Sequence, residues 1–133
     1  MIFADTSALF SLYNQADNHH SKATIIAKHL KENGEEQITS NIIIGEVLTL
    51  LSMRVGRQTA IDFGKRLEES RISIIFIEKE IHNNAWLIFQ KIKDKDVSFA
   101  DCTSFAVMEH LTIRKAFSFD QDFTKQGFEL EEV

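Results

Sequence analysis

Asp5, Glu46, Asp101 and Asp120 are set apart from the rest of the chain's twenty acidic residues by their surroundings. Asp5 follows the apolar triplet Ile2-Phe3-Ala4 directly. A strand there would place it at the open end of a parallel sheet, where such folds bind ligands. It equally suits a helix N-cap, as do Thr6 and Ser7. Glu46 lies three residues after Ile43 and four before Leu50, on or beside the apolar face of a helix, a poor place for a bare charge. A capping box with Ser40 would need its acid at position 43, which is isoleucine, so capping does not explain Glu46. A partly exposed carboxylate at the edge of the stripe remains the alternative. Asp101 stands three after Ser98 and fits a capping box, yet shares a helical face with Phe105 and Met108. Asp120 ends an apolar run, Ala116 to Phe119, and could simply cap the turn that follows.

The chemistry open to four carboxylates at one mouth is specific. Two carboxylates ~5 Å apart repel by about 3 kcal/mol at an effective dielectric near 20, so such a cluster calls for cations. All-oxygen donors select hard ions, Mg²⁺ or Mn²⁺. These retain bound water, and a metal-acidified water is a nucleophile suited to a phosphodiester, with the same charge stabilising the phosphate and the leaving oxygen. No serine or cysteine nucleophile is required.

The elements that must position these acids alternate between strand-like and helix-like segments. They predict a three-layer α/β/α sandwich around a central, mostly parallel sheet of about five strands. Strands are expected at residues 2–4, 37–39, 72–77, 116–119 and, at an edge, 128–130. A first helix runs through Leu9, Leu12 and Tyr13. A second carries Ala23, Ile26, Ala27 and Leu30 and stops near Asn33-Gly34. A third, capped by Ser40-Asn41 and closed by Gly56, carries Ile43, Val47, Leu50 and Leu51. A fourth includes Ala60, Ile61, Gly64 and Leu67. A long helix then places Ile81, Ala85, Ile88 and Ile92 on one face, and another, after Ser98, aligns Phe105, Met108 and Leu111.

With 133 residues, one domain spanning 1–133 suffices, and an apolar share of 44% with 26% charged residues is that of an ordinary globular chain. The formal charge of −5 argues against a bulk electrostatic grip on nucleic acid. Contact with RNA must be local or use metal ions as the positive charge. The lone Cys102 has no partner at zinc-site spacing. No apolar run approaches the ~20 residues of a membrane span, and the start lacks a signal-peptide pattern. No membrane association and a cytoplasmic location are the expectations.

Phe3-Ala4-Asp5-Thr6-Ser7-Ala8-Leu9, Glu46 within Ile42 to Leu51, Val97-Ser98-Phe99-Ala100-Asp101-Cys102-Thr103-Ser104-Phe105-Ala106, and Phe117-Ser118-Phe119-Asp120-Gln121-Asp122-Phe123 together resemble the four motifs of the PIN domains, in order and spacing. The likeness is to VapC-type toxins in particular and spans the chain. It implies a Mg²⁺- or Mn²⁺-dependent endoribonuclease that forms a homodimer and is inhibited by a small antitoxin protein occupying the acidic groove. By motif match Asp5, Glu46 and Asp101 are primary ligands and Asp120 the fourth acid. Asp122 is a helper, and Ser7 and Thr103 support Asp5 and Asp101.

His19-His20 resembles a histidine found at the start of the second helix, but adjacent histidines rarely share one metal, and a structural or exposed role is expected. Arg54 and Arg57 flank Gly56 and are candidates for RNA phosphate contact, although cations at a helix end have a simpler explanation. Cys102, Trp86 and the phenylalanines read as core or dimer contacts. The alternatives are a stand-alone PIN nuclease in RNA processing and a non-catalytic PIN scaffold. A receiver module would want adjacent acids after the first strand, and a haloacid-dehalogenase-like phosphatase an Asp-x-Asp there, but position 7 is serine.

Overall fold

The computed structural model describes residues 1–132. The apolar triplet Ile2–Ala4 (β1) is buried throughout and lies at the centre of the sheet. It is followed by α1 (Thr6–Leu12), α2 (His20–Glu32), β2 (Gln37–Ser40), α3 (Asn41–Arg54), α4 (Arg57–Glu69) and β3 (Ser73–Ile75). The chain continues with α5 (Lys79–Lys91), α6 (Phe99–His110), β4 (Lys115–Phe117), α7 (Asp122–Lys125) and β5 (Glu129–Leu130).

Among the described residues the strands form one five-stranded sheet in the order β3-β2-β1-β4-β5, and every pairing is parallel. Side chains alternate across the pleat. Phe3 and Ala116, paired in register, enter the larger core beneath α3 to α6, while Ile2 and Phe117 join Ala23, Ile26 and Leu30 of α2 on the other face. Helices therefore cover both faces, giving the three-layer α/β/α arrangement that the segment order predicts. All carboxyl ends of the strands share one edge, so the residues that follow β1 and β4 emerge side by side.

The helix ends obey local chemistry. Ser40 Oγ accepts the Ile43 N–H at 3.2 Å and caps α3. At the end of α2, Gly34 takes a left-handed conformation with φ of 65°, which glycine adopts without a Cβ clash. The Val55 and Gly56 N–H groups both reach the Leu51 carbonyl, closing α3.

Three strands are shorter than expected, β5 by one residue and the other two for identifiable reasons. The run 72–77 yields only Ser73–Ile75, an edge strand with Ile74 and Phe76 exposed, because the Ile77 N–H leaves the sheet for Asn41 Oδ1 at 2.8 Å. The run 116–119 ends at Phe117 because the next backbone groups bond to serine hydroxyls instead of a strand. Cys102 is fully buried in the core, whereas Trp86 is not core: it is 52% exposed on α5 beside Phe89.

Candidate active site

Asp5 leaves β1 with its backbone N–H on the Phe117 carbonyl at 3.0 Å, so the two central strands bring it against the end of β4. The residue occupies the N-cap position of α1, but its side chain makes no capping bond. Its Oδ2 instead accepts from Ser118 Oγ at 2.8 Å and Ser7 Oγ at 3.1 Å. Only 3% of the residue is exposed. Burial pushes its carboxyl up to about 6, and the nearby charge of Asp101 adds to the rise against the hydroxyl hydrogen bonds, which favour the carboxylate.

Ser118 is the joint of the site. While donating to Asp5 it accepts the Asp120 N–H at 3.0 Å. Ser7 Oγ accepts the Phe119 N–H at 2.9 Å and lies 3.1 Å from Ser118 Oγ. Both hydroxyls thus tie the loop after β4 to the start of α1. Asp120 itself is half-buried, and its Oδ1 accepts the Asp122 N–H at 2.9 Å. The capping role open to it from sequence is therefore present, and it leaves the second carboxylate oxygen for other contacts.

Glu46, on α3, is half-buried and accepts the Thr6 hydroxyl at 2.7 Å, which holds it toward the cleft instead of solvent. Asp101 sits in the first turn of α6 and completes the capping box: its Oδ2 accepts the Ser98 N–H at 2.9 Å, and Ser98 Oγ accepts the Asp101 N–H at 3.0 Å. Burial, and then the charge of Asp122, raise its carboxyl above the usual range. Thr103 does not support Asp101 directly. Its hydroxyl donates back to the Ala100 carbonyl within the helix, and Ser98 is the residue that holds the acid. The Cys102 thiol, next in sequence, is pushed up to about 11 by burial and by the charge of Asp101, and is no nucleophile.

Asp5, Glu46, Asp101 and Asp120 line one open cleft of about 330 Å³, together with Thr6, Ser7, Asp17, His19 and Arg54. Carboxylate oxygens of Asp101, Asp120 and Asp122 lie within 4.8 Å of one another. Asp122, whose carboxyl is raised by burial and by Asp120, thus joins the tight group that Asp5 and Glu46 approach from the cleft walls. Lys125 Nζ, 3.7 Å from Asp122 Oδ1, is the nearby cation. The donors are all oxygen, they converge from four elements, and burial first, then neighbouring acids, raise the carboxyls of Asp5, Asp101 and Asp122. Such a set fits a hard divalent ion.

Arg54 is exposed at the cleft and lies over the Phe10 ring, 5.7 Å from its centroid, whereas Arg57 points to Ser52 Oγ at 3.5 Å and does not line the cleft. The adjacent histidines separate. His20 Nδ1 bonds to the Ser11 carbonyl at 2.9 Å, a structural role, and exposed His19 stacks on Phe119 at the cleft. Sequence reasoning missed Thr6, Ser118 and Asp17. A serine between two phenylalanines at a strand end was the available signal for Ser118. Asp17 accepts from Ser11 Oγ at 2.7 Å and from the His19 N–H at 2.9 Å.

A parallel sheet whose central strands deliver acids into a cleft completed by acids from two helices is the arrangement of a PIN domain. The PIN-domain family profile matches residues 2–129, and the chain belongs to that family. Within it the likeness is to the VapC-type toxin ribonucleases. Over 129 residues, 96% of this chain and 95% of the relative, it is 33% identical to VapC20 of Mycobacterium tuberculosis, described as a 23S rRNA-specific endonuclease, in strains CDC 1551 / Oshkosh and H37Rv. The crystal structure of Mycobacterium tuberculosis VapC20, described as a sarcin-ricin loop cleaving toxin, matches with a TM-score of 0.90 and 31% identity, covering 100% of both chains.

Proposed function

We propose that the chain is a Mg²⁺- or Mn²⁺-dependent endoribonuclease, the toxin half of a toxin-antitoxin pair, that hydrolyses RNA phosphodiester bonds. The observation that carries this is the convergence of Asp5, Glu46, Asp101 and Asp120 on one cleft, with Asp122 beside them, in a fold matched end to end by an RNA-cleaving relative. Asp5, Glu46, Asp101 and Asp120 hold the ion, and Asp122 assists. When bound, it supplies positive charge toward a phosphate oxygen and acidifies a coordinated water. The chain's own residues prepare that place. Ser7 and Ser118 hold Asp5 in one orientation, Thr6 holds Glu46, and the Ser98 capping box holds Asp101. Burial of Asp5 makes its charge costly until a cation offsets it, which couples ion binding to an ordered site.

The same reading includes a single domain, a cytoplasmic location, inhibition by a small antitoxin protein and a homodimer. No helix among the described residues is long and apolar enough to cross a membrane. Ribosomal RNA loops are the first substrates to try, given what VapC20 cleaves. Purified protein with Mn²⁺ is expected to cut RNA, a chelator to stop it, and Asp5→Asn and Asp101→Asn each to abolish cutting while remaining folded. Equal cleavage by wild type and both variants would identify a contaminating nuclease and overturn the assignment.

A further inference from the structure

An acidic cleft must hold a polyanion, and the cations lining it are few. Five carboxylates face it, those of Asp5, Asp17, Glu46, Asp101 and Asp120, against Arg54 as the one fully charged cation among the lining residues. Beyond the charge that a bound ion brings to one phosphate, the cleft's own side chains neutralise little, so affinity for RNA draws on other contacts as well. Base stacking is the sequence-tolerant alternative, because every base has a π-face.

The cleft contains a surface built for it. The His19 ring lies flat on Phe119, with centroids 4.4 Å apart and planes 7° from parallel, yet His19 remains exposed and lines the cleft. An imidazole backed on one face by an aromatic ring and open to solvent offers its other face as a platform.

Its position is fixed from both sides. On one side, Asp17 accepts the His19 N–H and the hydroxyl of Ser11, which is itself 3% exposed, pinning the loop to α1. On the other, the Phe119 N–H donates to Ser7 Oγ, the hydroxyl that also contacts Asp5. The stacked pair is thus registered to the acids through two hydrogen bonds.

We infer that the His19–Phe119 pair is a stacking platform for an unpaired nucleobase next to the bond being cut, with Asp17 as its positioning residue. This rests on the endoribonuclease reading. The platform favours large, readily stacked bases and requires the target to present an unpaired nucleotide, as RNA loops do.

The test uses the full chain carrying Asp101→Asn, so that RNA is bound without being cut, and measures binding of fluorescein-labelled oligoadenylate and oligouridylate at a salt concentration that suppresses the phosphate contribution. Oligoadenylate is expected to bind more tightly. Adding His19→Ala should weaken oligoadenylate binding about tenfold, within the range for one base–aromatic stack, and erase the preference. His19→Phe should restore both. Because His19 is exposed, these changes leave the fold intact, which circular dichroism checks. Binding unaffected by His19→Ala, or a His19→Phe variant as weak as His19→Ala, overturns the platform while leaving the nuclease reading standing. Absence of cleavage by wild type, together with absence of RNA binding by the folded Asp101→Asn protein, overturns both.

Discussion

Asp5→Asn should make the metal-free protein more stable at neutral pH even as it removes activity. The Asp5 carboxyl is 3% exposed and is raised by burial to about 6, against ~3.9 for an unfolded aspartate. Between these two values the folded state binds a proton that the unfolded state has lost, so this group's contribution falls as pH rises through that window. Two pKa units correspond to roughly 3 kcal/mol, present as a full penalty above pH ~6 and absent below pH ~4. Asparagine keeps an oxygen to accept from Ser7 and Ser118 but carries no charge to desolvate. Urea unfolding of wild type and variant, with chelator throughout, should therefore show the variant's advantage growing by up to about 3 kcal/mol from pH 4 to pH 8. With a slope of about 1–3 kcal/mol per molar urea, that is a midpoint shift of roughly 1–3 M. The amide's own fit cancels in the comparison between pH values. Mn²⁺ at pH 8 should stabilise wild type and narrow the gap. A stability difference that is the same at both pH values would refute the claim that burial of a charge dominates this position.

Ser118→Ala removes one donor to Asp5 and leaves the Asp120 N–H without its acceptor. It should cost about 1–3 kcal/mol at pH 8, cost less at pH 5, and move the acid limb of the pH–rate profile upward, an effect absent if Ser118 were merely packing. Thr112 adopts φ of 56° after α6, a left-handed conformation unfavourable for a β-branched side chain. Thr112→Asn, which tolerates that region, should stabilise the protein by about 0.5–1 kcal/mol in thermal or urea unfolding without altering RNA cleavage.

The larger part of the fold was legible because its signals are local. Apolar spacing of 3.6 marks α2, α4 and α5, Ser40 and Ser98 cap where their sequences say they should, and Ile2–Ala4 has the apolar run of a central strand. Glu46 was legible as an anomaly, since no capping partner explained a charge beside an apolar stripe. Its actual partner, Thr6, is forty residues away in sequence, and no local pattern announces it. Ser118 was hidden for the same reason: its bond to Asp5 spans 113 positions. Thr103 misled in the opposite direction, because a hydroxyl two residues from an acid on a helix has the Ala100 carbonyl within easier reach. The short β3 and β4 show that a β-prone run ends where side-chain acceptors capture its backbone donors, as Asn41 does for Ile77 and Ser7 for Phe119.

The strand order has a bearing on how such a molecule is made. β1 precedes the other described elements along the chain, yet one of its two neighbours, β4, begins only at Lys115. Until then a nascent chain can pair β1 with β2 and carry Asp5 and Glu46, but it lacks Ser118, Asp120 and Asp122. The acidic cleft is thus completed by a segment made well after the strand it joins. The β1–β4 pairing sets Ile2 beside Lys115, a non-local contact of the kind that slows folding, so assembly of the site waits on the slowest-forming part of the topology.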